Sequence, residues 1–263
     1  MEFTLDEMRE HLAALEARIG EACKIAGRNR ESVKLVWVSK FHPAEAVENA
    51  IALGATDFGE NRVQEAELKF SEPRTAKDGS RVRCHVIGPV QSNKLKKAAL
   101  VADCIHSIAS IEAVEKLEKV CAAAANGQGK VLDILFQVNA GEEETKSGLD
   151  VHEAEAFLND LAAKAGAAVD GKSENFPHLR FRGLMTIGKN TGVPEDSREC
   201  FAFLRGLRDK FLARGGAFAK FDQLSMGMTL DLEVAIEEGS TMIRVGTALF
   251  GERDYSKPVN DPA

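Results

Sequence analysis

Lys40 closes the apolar run in "KLVWVSKFHP", three residues before Pro43. An amine with an apolar strand behind it is partly stripped of water, which favours its neutral, nucleophilic form and suits imine formation with a carbonyl. A solvated strand-end charge is the other reading of the same residue. Far along the chain, "LSMGMTLD" (224–231) sets Ser225 beside Gly227, and "MIRVGTALF" (242–250) sets Gly246 beside Thr247. Small residues let backbone N–H groups approach an anion while the Ser225 and Thr247 hydroxyls donate to it, which makes a phosphate cup. Glycines that merely form tight strand-to-helix turns would look the same. Arg244 shares a strand face with Met242 and Gly246 by two-residue alternation, so its guanidinium points either into the interior or into a helix layer, and needs an acceptor in both places.

These groups act together only if the fold brings them together. Thr4 and Glu7 have capping-box spacing, and Leu5, Met8, Leu12, Leu15, Ile19 and Cys23 follow at helical steps before Gly27, which predicts an N-terminal helix within residues 1–27. Beyond it, short apolar runs predict strands at Leu35–Lys40, Asp57–Glu60, Val82–Gly88, Cys104–Ile108, Val131–Asn139, Phe181–Ile187, Gln223–Met228 and Met242–Gly246. Helical patterns fall between them at about 43–53, 61–70, 90–101, 110–125, 151–165, 195–213 and 230–238, with Pro43 suited to a helix start and Gly54 to a helix end. Such alternation, with strands too apolar to have a wet face, implies a parallel sheet covered by helices. The eight units predict an α/β protein built as a single (β/α)8 TIM barrel, one domain over residues 1–263, with an additional N-terminal helix. A doubly wound open sheet is the competing architecture, weakened by the lack of Gly-x-Gly-x-x-Gly after the first strand. Residues 166–179 read as an exposed loop insertion and 256–263 as a flexible tail.

In a barrel of this kind functional groups gather at the carboxyl ends of the strands, and phosphate is commonly held after strands 7 and 8. That rim collects Lys40, Glu60 and Asn61, Gly88, Asn139, Ser225 to Gly227, and Gly246 with Thr247. A lysine, a phosphate cup and an inward arginine together match the needs of pyridoxal 5′-phosphate (PLP): an amine for its aldehyde, an anion site, and a partner for its ring nitrogen.

The motifs "VSKFHPAEAV", "DFGENRVQE", "HVIGPVQSNKLK", "VNAGEEETKSG", "RGLMTIG", "LSMGMTLDLEVAIEEGST" and "IRVGTALFGERDY" span residues 36–255 in order. By them the chain resembles the pyridoxal phosphate homeostasis proteins, whose barrel is similar to the N-terminal domain of alanine racemase. The resemblance implies that Lys40 carries PLP as an internal aldimine, that Ser225 with the Gly246 and Thr247 backbone holds the phosphate, and that Arg244 faces the pyridine nitrogen. Asn61 would line the same pocket. His85 either points toward it or is a satisfied core histidine.

A guanidinium only donates, so the ring nitrogen it meets stays unprotonated and the cofactor is a weaker electron sink. Alanine racemase adds a second base, a tyrosine from a separate β domain. The sequence carries no such domain, and its only tyrosine, Tyr255, follows the last strand. The resemblance therefore implies a monomeric cofactor carrier that hands PLP to PLP-dependent apo-enzymes, without robust catalysis. A weak racemase of alanine racemase type is the alternative, and a phosphate-binding isomerase without PLP the third. The formal charge of −7 argues against a nucleic-acid or anionic-membrane partner, and without a signal-peptide pattern or membrane span the chain reads as cytoplasmic. Five scattered cysteines show no metal-ligand spacing and read as buried thiols, no metal being expected. Lys94, Lys96 and Lys97 read as a solvated helix face, and Glu142 to Lys146 as a charged loop with no evident mechanism.

Overall fold

Thr4 caps the first helix as its spacing predicts. In the computed structural model, which describes residues 4–124, 130–143 and 146–251, the Glu7 N–H donates to the Thr4 hydroxyl and the Thr4 N–H to the Glu7 carboxylate. Helix α1 (Leu5–Ile25) buries Met8, Leu15 and Ile19, and its Arg18 donates to Glu233 and to the Thr229 carbonyl.

All eight expected strands form: β1 (Lys34–Val38), β2 (Asp57–Glu60), β3 (Arg83–Val86), β4 (Cys104–Ile108), β5 (Leu132–Asn139), β6 (Leu179–Met185), β7 (Gln223–Ser225) and β8 (Met242–Val245). Each pairs in parallel with the next, and β8 returns to β1 with Val36 opposite Arg244, so the sheet closes. Helices α2 (Ala44–Ala52), α3 (Val63–Phe70), α4 (Leu95–Val101), α5 (Ile111–Ala123), α6 (Ala154–Lys164), α7 (Arg198–Arg214) and α8 (Leu232–Glu237) follow the first seven strands in turn. A short α9 (Thr247–Phe250), absent from the sequence reading, follows β8.

Closure explains the strand composition. One strand face meets the helix layer through aromatics such as Phe58, Phe136 and Phe181, and the other meets an interior cluster of Val36, Cys104, Leu135, Met185 and Met242. All five cysteines are buried with free thiols, as their scatter suggested. Among the described residues no helix is long and apolar enough to cross a membrane.

The structure departs from expectation mainly where strands hand over to helices. Strand β7 stops at Ser225 rather than Met228, because Gly227 turns left-handed (φ 92°) and the Met228 N–H bonds to the Asp231 carboxylate at 2.7 Å. Helices α3, α4 and α8 begin later than predicted, leaving residues 61–62, 90–94 and 230–231 as loops. Segment 166–179 is more than an exposed loop. It folds into a small antiparallel hairpin, Ala168–Val169 with Lys172–Ser173, and sends Phe176 inward against Phe181. Tyr255 and the 256–263 tail lie outside the described residues.

Gly183 pairs with Gln223 at the β6–β7 seam with φ 149°, and a Cβ there would run into the Gln223 carbonyl. Gly183→Ala should therefore lower unfolding free energy by about 3 kcal/mol. Gly206→Ala, on the open surface of α7, should instead be neutral to slightly stabilising. Urea unfolding of the pair measures the contrast, and a Gly183→Ala protein as stable as its parent would contradict it.

Candidate functional site

The carboxyl ends of the barrel strands enclose a cavity of about 470 Å³. Five of the six residues picked from sequence line it: Lys40, Asn61, Arg244, Gly246 and Thr247. Lys40 stands half-buried in the turn after β1, and Asn61 directly follows β2. Two glycines let the wall close in. A Cβ on Gly88 would strike the Asn61 backbone, and one on Gly246 would lie 2.9 Å from the Val38 carbonyl.

Arg244 resolves its own ambiguity by pointing into the barrel. Its Nη1 donates to the Ser225 hydroxyl at 2.8 Å and its Nη2 to the Thr186 carbonyl at 2.9 Å. Burial pulls its pKa down to about 10, which still leaves a cation at neutral pH. The guanidinium thus presents donors to the cavity and nothing that accepts.

The structure does not bring Ser225 to the cavity. Because β7 ends there, its side chain faces the barrel interior and is fully buried, with the hydroxyl between Arg244 and His106 (3.0 Å to Nδ1). The hydroxyl-bearing residue of this segment that lines the cavity is Thr229, in the loop beyond Gly227. Sequence reasoning passed over Thr229, although a hydroxyl in the loop after strand 7 is itself a signal under the barrel rule for phosphate.

Beneath Arg244 a polar chain crosses the barrel interior. His106 Nε2 lies 2.9 Å from His85 Nδ1, and His85 Nε2 lies 2.9 Å from Asp57, which also accepts from Lys34 at 2.9 Å. An arginine at one end can only donate and a carboxylate at the other can only accept, so the protons run one way and both imidazoles are neutral with the proton on Nε2. Burial lowers the pKa of both histidines, against the pull of Asp57 on His85. Burial alone would raise the Asp57 carboxyl, but His85 and Lys34 outweigh it and hold the group well below the usual carboxylate range. His85 is thus a satisfied core histidine, not a wall of the cavity.

The charged loop after β5 also gains a place. Asn139 folds the loop by bonding the Glu143 carbonyl at 2.9 Å. Lys146, held by Glu143 at 2.5 Å and by the Gly188 carbonyl at 2.7 Å, reaches the cavity wall beside Ser147. Lys96 and Lys97 are exposed, with Lys97 paired to Glu67, in keeping with a solvated face.

The cavity therefore offers an amine, a buried cation that donates, and a rim of Thr229, Gly246 and Thr247 suited to an anion. The chain matches the family described as alanine racemase, N-terminal domain, over residues 11–254. The pyridoxal phosphate homeostasis protein of Pseudomonas aeruginosa is 38% identical over 257 residues, covering 97% of this chain and 100% of that protein. Among solved structures, an unknown protein from Bifidobacterium adolescentis superposes with a TM-score of 0.80 at 33% identity, over 94% of this chain and 95% of that one. PipY of Synechococcus elongatus, solved with PLP bound, has a TM-score of 0.72 at 32% identity, over 93% of this chain and 100% of that one.

Proposed function

The chain belongs to the alanine racemase N-terminal domain family, and to the pyridoxal phosphate homeostasis proteins within it, and on that premise we propose that it binds PLP through Lys40 and carries it without turning over a substrate. The observation that supports this most is the convergence of Lys40, Arg244, Thr229, Gly246 and Thr247 on one cavity. PLP brings an aldehyde, a phosphate and a ring nitrogen that accepts a hydrogen bond. Each requirement has a residue of fitting chemistry: the Lys40 amine for the aldehyde, Thr229, Gly246 and Thr247 for the phosphate, and Arg244 as donor to the ring nitrogen. Asn61 completes the wall. Arg244 keeps that nitrogen unprotonated, which weakens electron withdrawal and suits storage better than chemistry. We infer one PLP-binding barrel domain that works as a cytoplasmic monomer, with PLP-dependent apo-enzymes as acceptors.

Purified protein incubated with PLP, reduced with borohydride and digested should carry the label on the Lys40 peptide. Uptake of no PLP at all would refute the reading. Incubation of loaded protein with single amino acids in deuterated water should give no α-hydrogen exchange at useful turnover, and steady exchange would replace the carrier by an enzyme of racemase type.

The roles of the two hydroxyls separate by mutation. Thr229→Val should weaken binding of pyridoxine 5′-phosphate, which has the ring and phosphate but no aldehyde, by about tenfold or more, because a hydrogen bond to a charged group is worth about 1.5–3 kcal/mol. Ser225→Ala should act on stability instead, lowering it by about 1–3 kcal/mol by leaving Arg244 and His106 each short of a partner. Calorimetric titration and urea unfolding report the two effects, and a reversed pattern would return the phosphate to Ser225.

A further inference from the structure

Bonded to both chain neighbours of Lys40, and not among the residues that line the cavity, two carboxylates and an ammonium are buried together. The Lys69 amine, on α3, donates to the Ser39 carbonyl at 2.7 Å, to Glu60 at 2.8 Å and to Glu65 at 3.5 Å. Glu60 accepts from the Ser39 hydroxyl at 2.6 Å, and Glu65 accepts from the Phe41 N–H at 2.8 Å. The residues on both sides of Lys40 are thereby gripped by one charged group of three. The second oxygen of each carboxylate, Glu60 Oε2 and Glu65 Oε1, is buried without a hydrogen-bond partner.

This arrangement is a poor way to stabilise a helix on a barrel. Desolvating such ions generally outweighs their mutual attraction, and apolar residues of similar volume often do as well or better. Its bonds fall on a backbone that needs holding. Phe41 has φ 65°, a left-handed conformation that a bulky residue keeps only where its surroundings over-determine it. Its ring also lies under the Arg62 guanidinium, 5.5 Å from the ring centre. The direction in which the Lys40 side chain leaves the backbone depends on this turn, and a misplacement of about 1 Å can cost on the order of a hundredfold in reactivity.

We propose that Glu65 and Lys69, with Glu60, are positioning residues that lock the Ser39–Phe41 turn so that the Lys40 amine enters the cavity in a geometry ready for an aldehyde. The inference rests on the reading of Lys40 as the amine that takes up PLP. Glu65 is the member to test, since it accepts from the N–H of the strained residue itself.

Two probes divide the effect: PLP, which needs the amine, and pyridoxine 5′-phosphate, which does not. Glu65→Leu should weaken PLP binding and slow the appearance of its bound-state absorbance by about tenfold or more, while pyridoxine 5′-phosphate affinity stays within about twofold. Glu65→Ala provides a second removal of the acceptor should the leucine not be accommodated. Glu65→Gln, which still offers an oxygen to the Phe41 N–H, should recover most of the loss. In the protein without ligand, exchange of the Phe41 amide should quicken by about tenfold or more in the leucine and alanine variants but not in the glutamine variant. Equal losses for both probes would indicate general loosening and overturn the proposal, as would parent-like PLP uptake in both removal variants. Should the parent chain take up neither probe, the PLP reading itself fails, and the Phe41 amide decides the positioning role: unchanged exchange in the removal variants overturns it and faster exchange supports it.

Discussion

Lys40→Ala should bind PLP at least about tenfold more weakly than the parent chain and give no borohydride-fixed label at position 40, while its affinity for pyridoxine 5′-phosphate stays close to the parent's. The separation follows from the geometry. Arg244, Thr229, Gly246 and Thr247 line the same cavity from β8, the β7 loop and the start of α9. Arg244 is held by Ser225 and the Thr186 carbonyl, and the Thr229 loop is tied to α1 through Arg18. Removing the amine therefore removes the covalent contribution and leaves the anion and ring contacts in place. Absorbance titration with PLP, calorimetry with pyridoxine 5′-phosphate and peptide mapping after reduction read the three parts. Parent-like PLP affinity in Lys40→Ala would detach the binding reading from Lys40, and a parallel loss of pyridoxine 5′-phosphate would mean that the lysine shapes the cavity instead.

The sequence exposes the barrel because barrel strands are buried on both faces, so each appears as an apolar run whatever its tertiary partners. It exposes Lys40 and Gly246 for a related reason: strand ends in a parallel barrel all point to one rim. What it conceals depends on where a strand stops. Ser225 and Thr229 are both hydroxyls near Gly227, and the choice between them depends on β7 ending at Ser225, a consequence of the left-handed turn at Gly227 and the Asp231 bond to Met228. The late starts of α3 and α8 matter in the same way, since residues 61–62 and 230–231 stay out of the helices and supply Asn61 and Leu230 to the cavity. The group of three beside Lys40 is hidden more deeply. Glu65 and Lys69 stand four apart in a helical pattern, the spacing of an ordinary solvent-exposed pair, and only the packing of α3 over the turn after β1 buries them.

That burial sets up the second large effect. Lys69→Met should lower unfolding free energy by about 3–5 kcal/mol near pH 8, because it leaves Glu60 and Glu65 buried with no cation between them. The loss should shrink toward pH 5. Burial raises the Glu60 carboxyl to about 7 even against the pull of Lys69 and Ser39 and with Glu65 adding to the rise, so in mild acid it takes up a proton and half of the uncompensated charge disappears. The sign in the parent chain follows from the same shift. A carboxyl whose folded value lies above its unfolded value binds more protons when folded, so its contribution is complete below about pH 4.5 and is lost as pH rises through about 7, by on the order of 3 kcal/mol. Asp57, His85 and His106 work in the opposite direction, because all three have lowered folded values and favour the folded state less as pH falls. The whole-protein pH curve mixes these, but they cancel in a comparison of variants. Glu60→Gln should therefore gain stability over the parent as pH rises from about 5 to 8, and should recover part of the Lys69→Met loss at the upper end. Urea unfolding at the two pH values measures each difference. A Lys69→Met loss of the same size at both, or a Glu60→Gln protein that tracks its parent across the range, would mean that Glu60 does not take up a proton in the folded protein near neutral pH.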